Sequence, residues 1–81
     1  MAAPHSRRRP SGLSRRLGAR VRALRVAARL SQEQLAERSG IHTTYLSSLE
    51  RGHRNPTLNV LAALAGALDV SLPRLLDGVE K

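Results

Sequence analysis

Residues 31–51 read SQEQLAERSGIHTTYLSSLER, and this stretch decides the fold. Ser31 is a candidate N-cap because its hydroxyl can accept a free N–H of the next turn, and the glutamine three residues later completes a capping-box spacing. A helix is therefore predicted over 32–39. Gly40 ends it, since glycine takes a positive φ without strain, and a second helix is predicted over about 43–51. The stretch thus predicts two short helices joined by a glycine turn.

The chain before this stretch carries an apolar stripe at helical period, which predicts a first helix over about 13–29. The members of the stripe are Leu13, Leu17, Val21, Leu24 and Ala28.

The chain after this stretch predicts two more helices. Thr57 is a candidate N-cap for a fourth helix and Ser71 for a short fifth helix, which tolerates Pro73 in its first turn and ends at Gly78. The inward residues of the fourth helix are predicted to be Leu58, Leu61, Leu64 and Leu68. Because no segment alternates with period two over the length of a strand, the expected class is all-α.

Composition limits the chemistry that 81 residues can carry. The length allows one small domain, and Tyr45 is the sole aromatic residue. The lack of cysteine excludes disulfides and thiolate zinc sites, and the three histidines lack the spacing of metal ligands, so we expect no cofactor and no metal. There is neither a membrane-spanning apolar run nor a signal-peptide core, so the expected location is the cytoplasm.

Charge is distributed unevenly along the chain. Residues 1–30 hold nine arginines and no acidic residue, whereas residues 31–81 hold five basic and six acidic residues. A polycation joined to a nearly neutral module is typical of proteins that dock on nucleic acid or on an anionic membrane. Residues 1–12, with two prolines and the triplet Arg7, Arg8 and Arg9, predict a disordered arm.

Two short helices around a glycine turn form a helix-turn-helix unit, but many small helical proteins contain such a corner. The longer pattern is more specific. The segments SQEQLAERSGI, YLSSLERGHRNP and LAALAGALDVSLPRLL, all within residues 30–78, resemble the Cro/phage-repressor (Xre-type) helix-turn-helix family. TYLSSLERGHRNP and the short length are most similar to the small controller proteins of restriction–modification systems.

The resemblance implies a compact five-helix, lambda-repressor-like domain over residues 13–78, preceded by the arm 1–12 and followed by a tail, 79–81. The helix-turn-helix would span about 32–51, with its recognition helix over about 43–51. The implied function is sequence-specific transcriptional regulation by a homodimer, with the recognition helix of each copy in the major groove of a palindromic double-stranded DNA operator.

Two other functions stay open at this stage. One is an antitoxin that neutralises a toxin protein and regulates its own gene, and the other is a nonspecific nucleic-acid-binding protein. A protein partner, either a toxin or the transcription machinery, is compatible with the first function or with regulation. An enzyme is not expected, because the sequence has no glycine-rich phosphate loop and no paired carboxylates suited to a cleft, and we expect no membrane partner.

The outer face of the third helix is the candidate surface for reading bases. Leu46 and Leu49 must face the core, which turns short hydroxyl side chains outward. Hydroxyls can bond base edges, and threonine methyls can touch thymine methyls. A merely solvated face normally carries Glu and Lys, yet residues 42–49 have no charged side chain. The predicted base contacts are His42, Thr43, Thr44, Ser47 and Ser48.

Contacts to DNA phosphates are predicted around this face. Gln32 begins the second helix, where free N–H groups and the helix dipole favour a phosphate. The family resemblance assigns Arg51, Arg54 and Asn55 to a phosphate-contacting loop. Tyr45 is either a core residue or a contact. The arm contributes Arg7, Arg8 and Arg9, which either bind phosphates or form a solvated tail.

The resemblance also implies a partly buried ion pair between Arg25 and Glu50 that holds the third helix in place. A short apolar stretch, more than one small core can absorb, suggests the dimer interface. Its residues are Val70, Leu72, Leu75 and Leu76.

Overall fold

The computed structural model describes residues 11–80, which form five α-helices and no strand. The helices are α1 (Gly12–Ala27), α2 (Gln32–Ser39), α3 (Thr43–Glu50), α4 (Leu58–Ala67) and α5 (Leu72–Leu75). The all-α, five-helix prediction is confirmed. None of the described helices is long and apolar enough to cross a membrane. Arg7, Arg8 and Arg9 lie outside the described residues, as does most of the predicted arm.

Hydroxyl side chains begin four of the five helices. Ser11, Ser31, Thr57 and Ser71 each accept a hydrogen bond from the backbone N–H three residues later, at 3.0–3.2 Å. Since such caps satisfy N–H groups that a helix leaves free, the sequence sets these starts locally. Ser11 caps α1, so this helix begins one residue before its predicted start.

The first four helices end in the same way. After each one, a backbone N–H reaches back five residues to a carbonyl, and the residue before that N–H has a left-handed conformation. The left-handed residues are Arg29, Gly40, Gly52 and Asp69. Glycine fills two of these positions without strain, and arginine and aspartate fill the others.

The core lies where α1 packs against α3 and α5, and where α2 packs against α3 and α4. Its members are aliphatic, as the near absence of aromatic residues requires. The fully buried side chains are Leu35, Leu46, Leu49, Leu64, Leu75 and Val21.

Several predicted inward positions are wrong. Leu58, the first residue of α4, is 67% exposed, and Leu13, at the start of α1, is 54% exposed. Both lie in the first turn of their helix, where no neighbouring element covers them. Ala28 is also exposed because α1 ends at Ala27 and turns away there. Val79 departs in the opposite direction, since it is buried in the core rather than part of a tail.

Candidate nucleic-acid interface

The outer face of α3 presents hydroxyl side chains, and its inner face is buried in the core. Leu46 and Leu49 are fully buried, which fixes the rotation of the helix about its axis. Thr44 is exposed, as is His42, which occupies the N-cap position without using its side chain as a cap. The other predicted base contacts are half-buried. They are Thr43, Ser47 and Ser48.

Arg51 connects this face to the loop that follows α3. Its Nη1 donates to the hydroxyl of Ser47 at 2.7 Å, which places the guanidinium beside the α3 face. A hydroxyl has one donor and two acceptor sites, so Ser47 keeps its O–H for another acceptor. Arg51, which suits a phosphate, and Ser47, which suits a base edge, are therefore held together by a hydrogen bond.

Tyr45 supports a second arginine at the same edge. The guanidinium carbon of Arg54 lies 5.2 Å from the centre of the Tyr45 ring, a cation–π arrangement. Tyr45 is half-buried and packs against the core, so it combines a core contact with an exposed edge. Asn55 is exposed beside Arg54.

A buried network holds the end of α3 in place. Arg25 Nε donates to Glu50 Oε2 at 2.7 Å, and its Nη2 donates to Oε1 at 3.0 Å. The predicted ion pair is thus present and bidentate, and hydrogen bonding to the carboxylate raises the pKa of Arg25 above its ordinary value. Arg25 Nη1 also donates to the Leu30 carbonyl at 2.8 Å, and Gln32 Nε2 donates to Glu50 Oε1 at 2.9 Å. The network therefore joins α1, the α1–α2 turn, α2 and α3.

Gln32 consequently has a structural role in addition to its predicted place beside a phosphate. Its amide bonds Glu50, so the first residue of α2 braces the last residue of α3. The hydroxyl of Ser31 and the side chain of Gln34 complete a capping box at this helix start. The remaining N–H groups of the first turn of α2 are the groups suited to a phosphate.

Gly18 sets the distance between α1 and α3, and sequence reasoning missed this role. A Cβ at Gly18 would lie 2.4 Å from the carbonyl oxygen of Leu49 and 2.6 Å from that of Glu50. Only a residue without a side chain lets the two backbones approach so closely. A glycine in the middle of an otherwise regular helical pattern is the signal that could have indicated it.

The predicted dimer interface needs a correction at Leu75. This side chain is fully buried in the core of a single chain, so it has no surface left for a second copy. Its place at the only buried position of α5 explains the difference, because α5 docks through it. Val70, Leu72 and Leu76 are half-buried and keep part of their surface.

Comparison with known families decides where this arrangement belongs. A family model described as a helix-turn-helix, HTH_3, matches residues 21–75. The chain belongs to this helix-turn-helix family. The matched range begins within α1 and contains Arg25, Gln32, the whole of α3 and the loop that follows it.

Relatives of the chain include regulators of known name. It is 55% identical over 60 residues to the control protein C.SmaI of Serratia marcescens, covering 74% of this chain and 71% of the relative. It resembles the crystal structure of the restriction–modification controller protein C.AhdI of Aeromonas hydrophila, with a TM-score of 0.74 and 44% identity, covering 78% of this chain and 94% of that one.

The third relative has been solved with DNA. The structure of SinR, described as the master regulator for biofilm formation, in complex with DNA matches with a TM-score of 0.71 and 39% identity, covering 75% of this chain and 98% of that one. The full-length SinR of Bacillus subtilis is longer, and the chain spans 56% of it. The chain spans 42% of the immunity repressor of Bacillus phage phi105 and 39% of a Mycobacterium tuberculosis regulator.

Proposed function

We propose that this protein is a sequence-specific DNA-binding transcriptional regulator that acts in the cytoplasm as a homodimer on a palindromic operator. The observation that carries the proposal is the face of α3, which is rich in hydroxyls, has no charged side chain from Thr43 to Ser48, and is flanked by Arg51 and Arg54. Membership of the helix-turn-helix family and the likeness to the DNA-bound SinR structure support it.

The shape of this face suits a major groove. Short side chains let the backbone of α3 approach base edges closely, and each hydroxyl can donate or accept. Thr44 is the most accessible of them within α3, so we assign it a direct base contact together with Thr43. Ser47 and Ser48 lie one turn further along, and His42 lies at the helix start.

Phosphate contacts would fix the orientation of α3 in the groove. Arginine matches phosphate through its planar fork of donors, and such contacts position a protein without reading sequence. Arg51 and Arg54 lie at one end of α3, and Gln32, at the start of α2, is hydrogen-bonded to Glu50 at that same end. Tyr45 acts by supporting Arg54, and Asn55 adds a polar contact. The arginines of the arm would increase the affinity further by binding phosphates of the DNA backbone.

A second copy would supply the second half-site. In dimeric helix-turn-helix proteins the two recognition helices lie about 34 Å apart, which is one turn of DNA or about 10 base pairs. Val70, Leu72 and Leu76 form a short, partly exposed apolar surface at α5 that we assign to the dimer.

A pair of substitutions tests the assignment of readout to α3. Thr44→Ala removes one base contact and should reduce discrimination at one base pair by about 1–3 kcal/mol, while affinity for unrelated duplexes is unchanged. Arg54→Ala removes a phosphate contact and should weaken all duplexes alike. Fluorescence anisotropy with operator duplexes that carry single base changes measures both. Equal, sequence-independent losses from the two variants would refute the assignment.

A further inference from the structure

Six arginines lie between residues 15 and 29, and the structure divides them into two groups of three. In the first group, Arg16 Nε donates to the carbonyl of Val79 and Arg20 Nη2 donates to the carbonyl of Arg74 at 2.7 Å. Arg25 binds Glu50. These three arginines hold the C-terminal segment and α3 against α1, so each guanidinium already has a structural hydrogen-bond partner, and that of Arg25 is a carboxylate.

The second group is Arg15, Arg22 and Arg29, here called the α1 arginine ridge. All three are exposed, and none hydrogen-bonds or pairs through its side chain with another residue of the described range 11–80. Arg15 and Arg22 are seven residues apart, so they share one face of α1 at an axial spacing of about 10 Å. Arg29 follows in the turn after α1. Because α1 contains no acidic residue, nothing within the helix neutralises the ridge.

The ridge spans the distance between two groups of predicted phosphate contacts. At one end, a Cβ at Gly52 would lie 3.0 Å from both Cα and Cγ of Arg15, so Arg15 packs directly on the loop that carries Arg51 and Arg54. At the other end, Arg29 lies two residues before Ser31, the cap of α2. The exposed face of α1 therefore continues the candidate DNA interface rather than forming a separate patch.

We propose that the α1 arginine ridge binds the phosphates of the DNA backbone outside the base pairs that α3 reads. This inference rests on the proposed function and extends its contact surface by one helix. DNA offers one negative charge per about 1.7 Å of its axis, which suits a row of unpaired guanidinium groups. A membrane surface fits less well, since Ala19 and Val26 are the side chains between the arginines and neither can insert deeply among lipids.

The dependence of affinity on salt tests the ridge. Each phosphate contact adds about 0.9 to the slope of log affinity against log salt concentration. The variant Arg22→Gln/Arg29→Gln should therefore lower the steepness by about 1.8, so its affinity falls about twelvefold less than the wild type between about 50 and about 200 mM salt. The matched control, Arg38→Gln/Arg74→Gln, removes the same net charge from exposed positions on α2 and α5 and should keep the wild-type slope.

The probes are duplexes of about 30 base pairs, one enriched by the wild type from random DNA and one unselected pool. Arg22→Lys/Arg29→Lys keeps the positive charge and should restore most of the slope, and thermal melting checks that each variant is folded. Equal slopes for the ridge and control variants would overturn the inference, since net charge alone would then account for the effect.

Two further results separate the alternatives. The wild type could fail to prefer any sequence while the salt slope of Arg22→Gln/Arg29→Gln still differs from that of the control variant. This result would contradict the proposed function but would leave the ridge as a DNA-binding surface. A ridge variant that keeps its DNA slope but loses binding to phosphatidylserine vesicles would assign the ridge to an anionic membrane and overturn the inference.

Discussion

Replacement of Arg25 by methionine tests whether the buried network supports the recognition helix. The side chain of Arg25 is 12% exposed and that of Glu50 is 4% exposed. Arg25→Met would leave the Glu50 carboxylate buried with Gln32 as its remaining partner and would deprive the Leu30 carbonyl of a donor. Breaking a buried pair on one side costs about 3 kcal/mol, because the remaining charge is uncompensated. For a domain of this size, that loss corresponds to a fall in Tm of roughly 12–24 °C.

Urea denaturation followed by circular dichroism measures the loss. Arg22→Met, on the exposed face of the same helix, is the matched control and should change the free energy of unfolding by less than about 0.5 kcal/mol. The double variant Arg25→Met/Glu50→Leu removes both charges and should be more stable than Arg25→Met, since an apolar pair needs no compensation. A loss below about 1 kcal/mol for Arg25→Met, or a double variant no more stable than the single one, would refute the reasoning.

Three other predictions follow from packing. Gly18→Ala should destabilise the fold by about 1–3 kcal/mol and weaken DNA binding, because the new methyl group forces α1 and α3 apart. Val79→Ala should cost about 2 kcal/mol in urea denaturation, since Val79 is a core residue. Leu72→Asp should yield a folded monomer by light scattering, because a dimer would have to bury the new carboxylate without a partner.

Each of these variants has a matched control. Gly66 is helical with open space around it, so Gly66→Ala should stabilise by about 0.5–1 kcal/mol, and the Gly18 reasoning fails if both changes act in the same direction. Val26 is exposed, so Val26→Ala should hardly change the free energy of unfolding. If Val79→Ala destabilises the protein no more than Val26→Ala does, the place of Val79 in the core is contradicted. Val26→Asp should stay dimeric. A folded, dimeric Leu72→Asp protein would place the interface elsewhere.

Helix positions could be predicted from the sequence because their signals are local. Ser31 and Gly40 determine the ends of α2 by backbone chemistry that needs no distant partner, and α2 has the bounds that were predicted. The starts of α4 and α5 at Thr57 and Ser71 follow from the same chemistry.

Burial at helix ends depended on tertiary packing and could not be predicted in this way. Leu58 shares the helical period of the buried leucines, but nothing covers the first turn of α4. The sequence predicted Leu75 at the dimer interface, but this side chain is fully buried in the core of the single chain. Val79 follows Gly78, which the sequence predicted to end α5, although α5 already ends at Leu75. A residue after such a glycine is expected in a tail, yet Val79 packs on the core and its carbonyl accepts a hydrogen bond from Arg16.

The candidate site divides in the same manner. The hydroxyl face of α3 follows from its buried leucines, so Thr44 could be selected from helical period alone. The Arg25–Glu50 pair required the family resemblance, since the two residues are distant in sequence. The close approach at Gly18 and the division of the α1 arginines depend on how α1 lies against α3 and α5, which no local pattern encodes.

Selection of binding sites from random duplex DNA tests the central claim, that α3 reads a specific sequence as part of a dimer. About 150 mM salt suppresses binding that depends on phosphate contacts alone. We predict enrichment of a two-fold symmetric motif with half-sites about 10 base pairs apart. A folded protein that enriches no motif under these conditions would contradict the claim.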